Sequence, residues 1–441
     1  MGRSLDPWGK EVSSKPGSGG RERVLAAIGH RESDKVPVDL GSNPSSGISA
    51  LAYIDLLPEL GRRRGRSGFD PRPRVYDVVQ ELAQPDDWVL DELGIDVVDI
   101  GRAFNDKPED WAERVMPDGS RYLYPAWFKP VQEGNDLFAY DAEGTLLARR
   151  PDGATFFDER CFPWEDGYPD DFGGLDKAMG KVLWSALVHS PWDHAAEPGF
   201  WADLRKRALA LRDSTDRALM IVVGGNLFEW GTFIRRMDNF LVDLLADESS
   251  VERLLDALME RHLATLAKVC EAVGDVADVL RFGDDLGHEG GPFMSPDIYR
   301  RLFKPRHRIL VDFVKKHSTM KTFLHSCGSI HALIPDLIEV GYDILNPVQT
   351  SARDMGPEGL KREFGADITF WGGGIENRTV LAHGSEAEVR AQTLERLELF
   401  SKGGGFVFNT VHNIMPDVPA RNIVAMFDAV AEFNGRVRSE R

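Results

Sequence analysis

Eight short apolar runs, each closed by Gly, Asp, Asn or the residue beside one, set the limits on how this chain can fold. They read VPVDLG (36–41), DVVDIG (96–101), LMIVVGG (219–225), DVLRFGDD (278–285), KTFLHSCG (321–328), DILNP (343–347), ITFWGGG (368–374) and GFVFNT (405–410). Runs rich in β-branched and aromatic residues, and too short for buried helices, are read as buried strands. Amphipathic stretches lie between them at 251–274, 295–317, 330–341 and 385–403, with Ser250 and Gly274 as the expected caps of the first. Buried strands alternating with helices predict an α/β fold with a parallel sheet. Eight of them favour closure into a (β/α)8 TIM barrel over an open doubly wound sheet.

The segment from about 110 to 165 breaks this alternation, because Asp-Gly and Glu-Gly turns separate alternating runs there. It predicts an antiparallel β-hairpin insertion in the N-terminal half. Residues 1–20 are polar and Gly/Ser-rich and read as a disordered leader, with 21–441 as a single barrel domain. No apolar run approaches the roughly 20 residues of a membrane span. The leader lacks the apolar core of a signal peptide, so a cytoplasmic location is expected. A net charge of -18 opposes contact with phosphate backbones, so no nucleic acid partner is expected. The basic run at 61–74 reads as a solvated loop. Three cysteines, Cys161, Cys270 and Cys327, are odd in number and far apart, which argues against a disulfide framework and leaves thiol or metal-ligand roles.

In barrels of this kind the functional groups gather at the C-terminal strand ends. Polar residues stand at or just beyond those ends: Asp39, Asn226, Asp284 with Asp285, His325 with Cys327, Asn346, Glu376, and Asn409 with His412. His325 and Cys327 share a strand face and suit zinc, and His412, after the last strand, is the candidate third ligand. Two other readings stay open: a hydrogen-bonded core histidine beside a small buried cysteine, and a thiol enzyme with His412 as base. Asp284 and Asp285 are candidates for acid–base work or for supporting a metal, or else for capping the next helix. Glu376, beyond the glycines of ITFWGGG, is the third candidate catalytic carboxylate. Asp39, Asn226, Trp230, Asn346, Gln349 and Asn409 are the substrate-binding candidates. The chain has no GxxxxGK[ST], HExxH or GxSxG motif.

Several ordered blocks resemble the uroporphyrinogen decarboxylase superfamily from about residue 21 onward. They include RERVLAAIGHRESDKVPVDLG, FEWGTFIRRMDNFLVDLLADESSVERLLD, SPDIYRRLFKPRHRIL, FLHSCGSI, DILNPVQ and GGGFVFNTVHNIMPDVPARNI. The resemblance implies the TIM barrel. The decarboxylases proper carry an arginine-rich segment after the first strand, where this chain reads LGSNPSSGIS. It is similar instead to the branch of corrinoid-dependent methyltransferases, whose zinc is held by His-x-Cys and a distant Cys. That likeness places His325 and Cys327 on zinc, with His412 standing in for the distant cysteine. One thiolate with two imidazoles leaves a net positive charge on zinc, which favours polarising a neutral donor.

The implied reaction moves a methyl group from a small methyl ether or methylamine to a corrinoid (cobalamin), with Asp284, Asp285 or Glu376 handling the proton. The chain lacks a DxHxxG corrinoid signature, so a separate corrinoid protein is the expected partner. The rival readings are a metal-independent decarboxylase or lyase and a catalytically silent binding barrel. An apolar helix face would leave room for a homodimer.

Overall fold

In the computed structural model, which describes residues 19–65, 67–185 and 188–440, seven of the eight apolar runs form one curled parallel sheet. Its strands are β1 (Val97–Asp99), β2 (Ala218–Gly224), β3 (Val279–Gly283), β4 (Lys321–His325), β5 (Ile344–Asn346), β6 (Thr369–Trp371) and β7 (Phe406–Val407). They lie side by side in chain order, each parallel to the next.

The first run, VPVDLG, forms only an isolated bridge between Val38 and Phe408. Pro37 has no N–H to give, which shortens the ladder this segment can make. Its backbone still closes the ring. Asp39 N donates to Phe408 O at 2.9 Å, Phe408 N to Pro37 O at 2.8 Å, and Asp96 N to Val38 O at 2.8 Å. The TIM barrel is therefore present, with one of its eight positions reduced to a bridge.

Strand periodicity sorts the barrel interior into layers. Val97, Met220, Val279, Phe323, Ile344, Trp371 and Val407 form an apolar cluster with Val24, Ala27 and Ile28 of the helix Gly20–Ile28. That helix seals the N-terminal end of the strands, where Arg21 N bonds Asp216 O and Gly405 N bonds Ala27 O. Two residues further along four strands, the same face carries Arg281, His325, Asn346 and Asn409. An apolar layer thus supports a polar one at the barrel mouth. Of the leader expected at 1–20, residues 1–18 lie outside the described residues, and Gly20 already opens a helix.

The outer helices follow the predicted stretches, with local corrections. The first, α1 (Glu248–Val273), is capped by Asp247, whose side chain accepts from Ser250 N, so Ser250 is not the cap; Gly274 closes it as expected. The stretch 295–317 is one helix only in part. It starts as Pro296–Ile298 under a Ser295 cap, widens into a π turn over Tyr299–Phe303, and continues as α2 (Lys304–His317). Pro305 removes a backbone donor at that junction, a recognised cause of such widening. Segment 330–341 gives α3 (Ile334–Val340) after a short 3-10 turn, and α4 (Glu386–Phe400) begins with a reciprocal Ser385/Glu388 box. Among the described residues no helix is long and apolar enough to cross a membrane.

The predicted hairpins are there. Trp111–Val115 pairs antiparallel with Arg121–Pro125, and Val131–Glu133, Asp136–Tyr140, Leu146–Arg150 and Asp158–Glu159 make a four-stranded antiparallel sheet. They share an apolar cluster of their own, including Tyr124, Phe128, Leu137 and Phe157. The chain that follows brings Trp184 and His189 to the wall of the barrel-mouth cavity.

Candidate metal centre

His325 is the last residue of β4, and Cys327 follows it into a tight turn. Gly328 makes that turn with φ 85°, and any side chain there would run into the backbone of Gly287. The close approach brings Cys327 N within 2.8 Å of Asp285 Oδ1, to which it donates. His412 comes from the loop after β7, in left-handed backbone with φ 68°. Thr410 Oγ1 and Asn377 Nδ2 donate to its carbonyl and hold it there. Its ring meets His325 edge-on, with centroids 5.3 Å apart.

One donor atom from each of His325, Cys327 and His412 lies within 4.8 Å of the other two. Cys327 Sγ and His325 Nε2 are 3.4 Å apart. A tetrahedral zinc with bonds of about 2.3 Å to sulfur and 2.0 Å to nitrogen separates two such ligands by about 3.6 Å. The donor set therefore fits zinc in type and spacing.

Protonation suits a ligand role as well. Asn346 Nδ2 donates to Trp371 O at 2.8 Å, which turns Asn346 Oδ1 toward His325 Nδ1 at 2.6 Å. That oxygen only accepts, so Nδ1 carries the hydrogen and the Nε2 lone pair faces Cys327. Burial, then the Arg281 charge, lowers the His325 pKa to about 3. Burial, then His325, lowers His412 to about 3. Both rings are neutral at neutral pH. Burial, followed by Asp285 and Glu229, pushes the Cys327 thiol well above its ordinary range. Without a cation it keeps its proton.

The cavity above this cluster measures about 170 Å³ and is lined by His325, His412, Asp285, Asn226, Trp230 and residues of five other segments. Asp285 Oδ1 stands 3.5 Å from His325 Nε2. Asp284, its neighbour in sequence, turns the other way. Asp284 accepts from Phe228 N at 3.1 Å and Glu229 N at 2.9 Å, capping the helix Phe228–Arg235, and lies 3.1 Å from His307 Nε2. Glu376 accepts from Thr379 N at 2.7 Å and Thr379 Oγ1 at 2.6 Å at the start of Asn377–Leu381. Neither Asp284 nor Glu376 lines the cavity.

The other sequence candidates divide in the same way. Asn226 and Trp230 line the cavity, while Asn346 sits behind His325. Gln349 braces the turn after Cys327, accepting from Gly328 N at 2.8 Å and donating to Glu289 at 2.8 Å. Asp39 and Asn409 are buried together, with Asn409 Nδ2 on Asp39 O at 3.1 Å and Trp371 Nε1 on Asp39 Oδ2 at 2.8 Å.

Glu229, Arg281 and His189 are among the cavity residues that sequence reasoning passed over. Glu229 accepts from Asn226 Nδ2, and burial, then Asp285 and Asp284, pushes its carboxyl up to about 8. Arg281 carried a signal, since a charged residue interrupts DVLRFGDD at the inward parity of Val279. His189 carried none, because it lies outside the strand–helix alternation.

A family model described as Uroporphyrinogen decarboxylase (URO-D) matches residues 212–433, half of the chain. The chain belongs to the uroporphyrinogen decarboxylase family. The matched span of this family member holds β2 to β7 with His325, Cys327, His412 and Asp285. A uroporphyrinogen decarboxylase from Prochlorococcus marinus (strain MIT 9211) is 24% identical over 351 residues, covering 75% of this chain and 93% of that protein. Among solved structures, a methyltransferase from Methanosarcina mazei aligns with a TM-score of 0.55 at 19% identity, covering 94% of this chain and 99% of the other. That likeness extends the shared fold over nearly the whole family member. A B12-independent methionine synthase from Shewanella sp. W3-18-1 aligns with a TM-score of 0.32 at 11% identity, over 54% of this chain and 67% of the other.

Proposed function

We propose that this family member is a zinc-dependent methyltransferase that takes a methyl group from a small methyl ether or methylamine and delivers it to a corrinoid carried by a partner protein. The observation that carries this reading is the His325, Cys327 and His412 cluster, whose donor atoms lie within 4.8 Å of one another, with His325 and His412 lining the cavity. The fold shared with a protein described as a methyltransferase supports it.

His325, Cys327 and His412 would hold the ion, and Asn346 keeps the His325 lone pair aimed at it. Zinc bound there supplies a Lewis acid for the donor's heteroatom, with one net positive charge left after a single thiolate. Trp230, Phe233 and Trp184 wall the cavity and keep water from the methyl group. Once the methyl group departs, the heteroatom needs a proton. Glu229, with its carboxyl pushed up to about 8, holds one at neutral pH and faces the same cavity. Asp285 anchors the Cys327 turn through Cys327 N.

A metal-independent decarboxylase is the second reading, supported by the Prochlorococcus relative. The arginine-free LGSNPSSGIS segment weighs against it. Metal analysis of protein purified without chelators separates the two. The expected result is one zinc per chain in the wild type and its loss in His412→Ala. A zinc-free wild type would remove the methyltransferase reading and leave the decarboxylase.

A further inference from the structure

The cavity contains polar atoms that the fold leaves without partners. Arg281 is 7% exposed, and among the described residues its guanidinium makes one hydrogen bond, from Nη2 to Ser45 Oγ at 2.8 Å, while Nε makes none. A guanidinium presents five N–H donors in a planar fork, and burying them unsatisfied is costly. Glu229 and Asp285 act on Arg281 through space, but no hydrogen bond joins either to it among the described residues. His189, 4% exposed, lines the same cavity, and among the described residues both of its ring nitrogens lack partners. Tyr76, 8% exposed, has a hydroxyl with no partner among the described residues and meets His189 edge-on with ring centroids 6.3 Å apart. Separate parts of the chain thus bring the unsatisfied groups of Arg281 and His189 to one cavity, with Tyr76 packed against His189.

We infer that Arg281 is the receptor for a carboxylate on the methyl donor, with Ser45, His189 and Tyr76 completing its surroundings. The inference deepens the methyltransferase reading and rests on it. A planar two-oxygen anion matches the guanidinium fork. Among the described residues a dianionic phosphate would meet a single inward cation here, since the other lining arginine, Arg261, is paired with Asp176 at 2.8 Å. Arg281 lies two residues before Gly283, the register partner of His325. An anion held at that depth directs the rest of the molecule toward His325 and His412.

The test is calorimetric titration of wild type, Arg281→Lys and Arg281→Gln with benzoate, benzamide and inorganic phosphate, on protein as purified and after chelation. Benzoate is expected to bind the wild type in both preparations, about tenfold more weakly to Arg281→Lys and roughly 30-fold or more weakly to Arg281→Gln. Benzamide, of the same shape without the charge, is expected to bind all three alike. Equal binding of benzoate and benzamide to the wild type overturns the inference without any variant having to fold. Phosphate displacing benzoate with equal affinity overturns it too, since the site would then take any small oxyanion. Benzoate binding lost on chelation but kept in Arg281→Gln would assign the anion to the metal instead. A wild type that is zinc-free as purified and still binds benzoate removes the methyl-transfer reading and leaves the carboxylate site standing.

Discussion

Asn346 accepts the Nδ1 hydrogen of His325 at 2.6 Å, and through that bond a residue with no access to the cavity decides which His325 nitrogen faces Cys327. Ligand histidines held in this way lose roughly 10- to 100-fold in metal affinity when the holding group is removed. Asn346→Leu is therefore expected to weaken zinc binding by that factor, whereas Asn346→Asp, which keeps an acceptor, retains it. Competition with a chromophoric chelator measures both. Equal affinity in the Leu variant and wild type would remove Asn346 from the ligand set's support.

Zinc uptake should release a proton. The Cys327 thiol is held above its ordinary range by burial, Asp285 and Glu229, and it must ionise to bind metal. Apparent affinity is expected to rise about tenfold per pH unit between about pH 6 and 8, with one proton released. His325 and His412, both lowered to about 3, add no slope in that window. Calorimetry in buffers of differing ionisation enthalpy counts the protons, and a flat pH profile would contradict a thiolate ligand.

Glu229 links stability to pH in the opposite sense from an ordinary surface acid. Its folded pKa of about 8 exceeds the ordinary 4.5, so between those values the native state holds more protons than the unfolded chain. Its contribution is fully present below the unfolded value and is lost as pH rises through the folded one. Glu229→Gln, which stays neutral, is therefore expected to gain on the wild type by about 1 kcal/mol or more between pH 5 and 9. Urea melts at the two pH values show the trend. A gap that narrows with pH would mean that Glu229 is ionised in the folded protein.

Asp284 is expected to behave as a structural residue. Removing its carboxylate in Asp284→Ala leaves Phe228 N, Glu229 N and His307 Nε2 without their buried partner. A loss of about 2–4 kcal/mol follows, with zinc content unchanged in the folded fraction. Full stability combined with lost activity would instead give Asp284 a direct part in the chemistry.

The barrel is legible in the sequence because its strands are buried on both faces and read as unbroken apolar runs; LMIVVGG emerges nearly whole as Ala218–Gly224. VPVDLG misleads in extent, since Pro37 spoils the ladder that its neighbours would otherwise form. The cluster of His325, Cys327 and His412 is readable from strand ends alone. Asp284 and Asp285 show where reading stops. They are the same residue in adjacent positions, yet one caps a helix and the other faces the cavity, because neighbouring side chains at a strand end point to opposite sides. His189 is beyond reach for a different reason. Its place depends on how the chain after the inserted hairpins packs over the mouth, which no local pattern encodes.

The left-handed backbone at His412 separates the choice of third donor from the architecture that carries it. Conformation at φ 68° suits glycine or asparagine, and the loop is held by bonds to the His412 carbonyl and not to its ring. Among the described residues the imidazole packs on His325 and takes no part in the strand ladder. A change at this one position can therefore replace the donor offered beside His325 and Cys327 while the barrel beneath it stays the same.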